Sequence, residues 1–167
     1  MLIHLRLAAF AFAAAATSLP VEAADGVPPL LPPLLLANTP IGTWDVAITT
    51  FNCDSHLANP PFHSILAFEV GGTEMETTDN PALAVGQRSP AFGSWNFTGL
   101  RKVNLLTKAF ILFSAPAGPI KQGTQIIRHA ITLTDANSFT DAAVLTFYDT
   151  SGTATLVACA AAVGHRF

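Results

Sequence analysis

Few side chains in this sequence could do acid–base or binding chemistry, and they are scattered. Glu74 and Glu76, in TEMETTDN, stand two residues apart and share one face of any β-strand. Paired carboxylates can exchange a proton with a bound molecule, although two acids on one strand face ordinarily point to water. Asp141 lies among apolar residues, flanked on its own face by Phe139 and Ala143. An acid held in such a lining is the best candidate for catalysis. His129 shares a face with Ile127, Ile131 and Leu133 and could serve as a base or as a hydrogen-bond partner of a ligand. Arg88, in GQRSPAFGSW, could bind a carboxylate or pair with a local acid, and Phe92 and Trp95 in the same segment could line the entrance to a cavity. Phe68, on an apolar strand face, could line its wall.

His56, His63, His129 and His165 lack the short spacing of a metal site. The sequence has no Gly-x-Ser-x-Gly, phosphate loop or Cys-x-x-Cys. No metal or cofactor is therefore expected. The net charge of −3 offers no basic footprint for nucleic acid.

The elements that must position these residues read as all-β. Residues 1–23 read as a secretory signal peptide: His4 and Arg6 lead, an apolar run covers Leu7–Ala16, and Val21-Glu22-Ala23 fits a signal peptidase. Its apolar run is too short to cross roughly 30 Å of hydrocarbon. Residues 24–40, with two Pro pairs and five leucines, read as an extended arm lying on the domain or on a neighbouring subunit. Residues 41–167 form the domain.

Within it, Thr, Val, Ile and Phe recur in short runs separated by turn residues. Eight strands are expected, at about 42–52, 62–70, 73–78, 93–98, 102–115, 124–134, 139–148 and 153–166. Alternate connections are tight: a two-residue hairpin at Gly71-Gly72, then Gly99–Arg101 and Asp135–Ser138. The others, apart from the short Asp149–Gly152, are long and rich in Pro or Gly. In an up-and-down meander the tight turns fall at one end and the long loops at the other. That pattern describes an eight-stranded antiparallel barrel with a closed end and a mouth.

Two residues at the closed end carry a resemblance. Gly42-Thr43-Trp44 opens the first strand and resembles the Gly-x-Trp signature of lipocalins and the wider calycin group. In those families a basic residue near the end of the last strand covers the Trp. Arg166 matches that position and implies a cation–π contact over Trp44. The chain also looks like a group of secreted bacterial proteins of unassigned function. GTWDVAITTFNC, FEVGGTEMETTDNP, GQRSPAFGSW, KAFILF and GTQIIRHAITLTDANSFT carry that resemblance over most of residues 41–167. The lack of a C-terminal helix favours calycin-like over strictly lipocalin.

Cys53 and Cys159 are the two cysteines, and an even count in an exported chain favours a disulfide. Pairing Trp44 with Arg166 also brings Cys53 near Cys159, so both guesses place the first strand beside the last.

The expected function is that of a secreted or periplasmic barrel binding a small apolar molecule. The alternatives are a cofactor-free cyclase or isomerase resembling allene oxide cyclase, and a small outer-membrane barrel. One Tyr and two Trp are too few for two aromatic girdles, so membrane association is not expected. The fifth strand is apolar on both faces. Its second set, Leu106, Phe110 and Leu112, points to a further contact outside, such as a homo-oligomer.

Overall fold

The computed structural model of the chain describes residues 38–112 and 123–167. The expected signal peptide, most of the Pro-rich arm and most of the loop after the fifth strand lie outside the described residues. Eight strands follow in order: β1 (Gly42–Phe51), β2 (Phe62–Phe68), β3 (Thr73–Thr78), β4 (Ala91–Gly99), β5 (Lys102–Ile111), β6 (Gly123–Leu133), β7 (Ser138–Asp149) and β8 (Ala154–Arg166). Each pairs antiparallel with its neighbour, and β1 pairs with β8, so the sheet closes into an up-and-down barrel. The closure is consistent with a calycin-like fold.

The closing register is the one that the sequence implies. Trp44 lies opposite Arg166, and Phe51 lies opposite Cys159. Cys53, just beyond the end of β1, forms a disulfide with Cys159 across a Cα–Cα distance of 5.1 Å.

One turn differs from expectation, with consequences for the interior. Gly71-Gly72 is not a two-residue hairpin. The Glu69 N–H donates to Thr73 O at 2.9 Å, so the connection is Val70-Gly71-Gly72. Both glycines have positive φ, 104° and 91°, which suits a turn of this shape. Val70, in the turn, is exposed. The β2–β3 register therefore pairs Phe68 with Glu74 and Leu66 with Glu76. Residues opposite each other in a ladder share a face, and a slip of one residue exchanges the faces. Glu74 and Glu76 thus point into the barrel, and Met75 points out. The expectation that these two acids face water is overturned by that register.

The core fills the closed end. Trp44, Phe68, Val103, Leu105, Ile131, Leu133 and Phe139 pack together there, and Trp95 packs against them. The Trp44 and Phe139 rings meet at 4.9 Å between centroids. Arg166 seals the floor from below. Its guanidinium carbon stands 4.1 Å from the Trp44 ring centroid, and it donates to the carbonyls of Ala136, Thr39 and Ile41. The Trp44 indole N–H donates to Pro40 O at 2.6 Å. Residues 38–40, the described end of the arm, therefore complete the floor.

Candidate functional site

Above the floor the inward residues change character. Ionisable groups enter from three strands and one loop, and the topology explains each placement.

His129 on β6 lies opposite Ala143 on β7, and Ile131 lies opposite Asp141. His129 and Asp141 are thus diagonal neighbours on the inner face, within reach of each other's side chains. His129 Nδ1 and Asp141 Oδ2 are 2.6 Å apart, and both side chains are buried. With the carboxylate accepting at Nδ1, the ring presents Nε2 to the interior. Among the described residues neither His129 Nε2 nor Asp141 Oδ1 has a hydrogen-bond partner.

The second group is built around Arg88. The Asp79–Pro90 segment crosses the mouth, and backbone bonds fix its end to β5: Ser89 N–H to Phe110 O at 3.0 Å and Leu112 N–H to Gln87 O at 2.8 Å. Arg88 is held between them and turns inward. It donates to Glu76 Oε2 at 2.9 Å and to Gln125 Oε1 at 2.6 Å. The Ser64 hydroxyl donates to the other oxygen of Glu76 at 3.1 Å. The Arg88–Glu76 pair is almost fully buried, with side-chain exposures of 4% and 5%.

Glu74 has no such support. It is 2% exposed, and neither carboxyl oxygen has a partner among the described residues. Burial, reinforced by the neighbouring charge of Glu76 and partly offset by Arg88, pushes its pKa up to about 9. Glu74 is therefore a neutral acid at pH 7.

Apart from Glu74 and Ser64, these groups frame a cavity. Arg88 and Leu83 form its roof, His129 and Asp141 lie toward the floor core, and Glu76 and Gln125 line the polar side. Val46, Ile48, Phe62, Ile127 and Leu145 supply apolar wall. Three alanines, Ala143, Ala160 and Ala162, leave space where larger side chains would fill the barrel. The cavity volume is about 30 Å³, room for roughly two waters and well below the ~150 Å³ of an apolar cavity that takes benzene.

The residues singled out in the sequence separate into four locations. Arg88, His129 and Asp141 meet at this cavity. Phe68 and Trp95 belong to the floor core, where their rings meet edge-on at 6.2 Å. Phe92 faces outward and is 64% exposed. Trp44 and Arg166 form the floor itself. Sequence reasoning did not find Ser64, Gln125 or the alanine wall. The alternate alanines of β8 in TLVACAAAVG carried a signal, because small residues repeated along one strand face hollow a barrel. No family model, no curated protein and no solved structure matches the chain.

Proposed function

We propose that the barrel lumen is a small-molecule binding site. Its ligand has an apolar body and a polar group that meets His129 or Arg88. One observation carries the reading. The whole chain has 19 Asp, Glu, Lys and Arg residues, and four of them, Glu74, Glu76, Arg88 and Asp141, lie inside the barrel. Buried ionisable groups, whether paired or held neutral, are poor stabilisers compared with apolar residues of similar size. A barrel selected for stability alone would fill this space as it fills the floor. Convergent polar groups in an apolar-walled cavity are the usual make-up of a ligand site.

The small volume sets a condition. A ligand of several carbon atoms enters when the Asp79–Pro90 segment lifts and withdraws Leu83 and Arg88. The inward apolar floor argues against the outer-membrane alternative, since such barrels keep polar residues inside and apolar residues toward lipid. The Cys53–Cys159 pair supports an extracytoplasmic location, where disulfides persist. A self-association surface is part of the same proposal. Phe92, Leu106, Phe110 and Leu112 lie on neighbouring strands or just past their ends and are exposed. Sedimentation should show a dimer or larger species that Phe110→Lys dissociates.

The test of the lumen is native mass spectrometry of the protein exported to the periplasm. A bound small-molecule mass is expected in the wild type and not in Ala162→Phe, which fills the cavity. Wild-type and filled proteins that carry the same adduct, or none, overturn the reading.

A further inference from the structure

Resting on the lumen as a binding site, we propose that His129 and Asp141 make it a proton-transfer catalyst for small carbonyl compounds with an acidic C–H beside the carbonyl.

The geometry supplies the parts in order. Asp141 Oδ2 stands 2.6 Å from His129 Nδ1 and fixes the ring, so that the proton sits on Nδ1 and the lone pair on Nε2. Nε2 is buried, faces the cavity and has no partner among the described residues. A histidine placed for packing alone would satisfy that nitrogen. The apolar wall of Ile127, Ala143 and Ala160 surrounds the dyad and excludes bulk water from a bound molecule. Arg88 lines the roof of the same cavity, paired with Glu76 at 2.9 Å.

The step balances without a further reactant. The Nε2 lone pair takes the proton from the carbon beside the carbonyl. The C–H electron pair becomes the enolate, with its charge on oxygen, in the cavity that the Arg88–Glu76 pair also lines. The imidazolium then returns a proton. Return to the same carbon gives exchange with solvent; return to the far carbon of an unsaturated ketone moves the double bond. No bond to the protein forms, and nothing is oxidised or reduced. Asp141 is the positioning residue and His129 the catalytic one.

Cyclohexanone is the probe. Its binding is followed by changes in the protein's amide NMR spectrum, and its chemistry by loss of the α-proton signal in deuterated buffer. The wild type should exchange these protons at least 10²-fold faster than His129→Gln, the span typical of general-base catalysis. Asp141→Asn should slow exchange and shift the pH profile, since the ring tautomer is then no longer held. Ala162→Leu retains both dyad residues and fills the cavity beside Asp141, and serves if His129→Gln fails to fold. Binding with exchange equal to that of a folded His129→Gln or Ala162→Leu protein overturns the catalytic proposal and leaves the binding site standing. Absence of cyclohexanone binding overturns both.

Discussion

Replacing Glu74 by Gln tests the reading of the barrel interior in the most quantitative way. In the unfolded chain this carboxyl ionises near its ordinary value of 4.5, and in the folded barrel it holds its proton up to about 9. Between those values the unfolded state binds fewer protons, so stability falls as pH rises. The full contribution is present below pH 4.5 and is lost by about pH 9. Each pH unit in that window corresponds to about 1.4 kcal/mol. Two units, from pH 5 to pH 7, therefore correspond to about 3 kcal/mol, a large share of a typical domain's 5–15 kcal/mol. Gln keeps the shape and cannot ionise. Urea denaturation of both proteins at pH 5 and pH 7 isolates the effect, because every other titrating group is common to them. Glu74→Gln should gain about 3 kcal/mol on the wild type over this interval. A difference that stays constant with pH would show that Glu74 is ionised in the folded barrel, and the reasoning from its burial would be refuted.

Other substitutions test the floor and the closure. Gly164→Ala should destabilise by about 1–3 kcal/mol in thermal melts, since a Cβ there would lie 2.3 Å from the Phe139 ring. A melting temperature unchanged from wild type would contradict the packing described for the floor. Arg166→Lys should also lower stability, by about 1.5–3 kcal/mol, because one ammonium cannot serve three carbonyls and an indole face together. Equal denaturation midpoints for the two proteins would count against the floor seal. Reduction of Cys53–Cys159 should cost about 2–5 kcal/mol, measured as the shift in urea midpoint on adding reductant. The sequence separation of 106 residues makes the constraint on the unfolded chain large.

The barrel was largely legible in the sequence because its signals are local and repeated. Alternating residues gave the strands, turn lengths gave the two ends, and Trp44, Arg166, Cys53 and Cys159 gave the closing pair. The interior was harder to read for one physical reason. In TEMETT both faces are polar enough to face water, so period alone does not say which set turns inward. The turn decides it, and a two-residue turn at Gly71-Gly72 would have turned Met75 inward. The observed Glu69–Thr73 closure shifts the ladder by one residue and turns Glu74 and Glu76 inward. Arg88 was harder still, since its partners Glu76 and Gln125 lie 12 and 37 residues away in sequence. His129 and Asp141 stand out in the sequence only as single residues. Their partnership needed the β6–β7 register.

The central claim is that the lumen receives a small molecule. The most direct measurement is an amide NMR titration of the oxidised protein with cyclohexanone. Saturable shifts are predicted at His129, Ile127, Ala143 and Ala160 and along the Asp79–Pro90 segment, with Leu106 and Phe110 on the outer wall unmoved. Shifts confined to the outer wall, or no saturable shift at the lumen residues, would contradict the account.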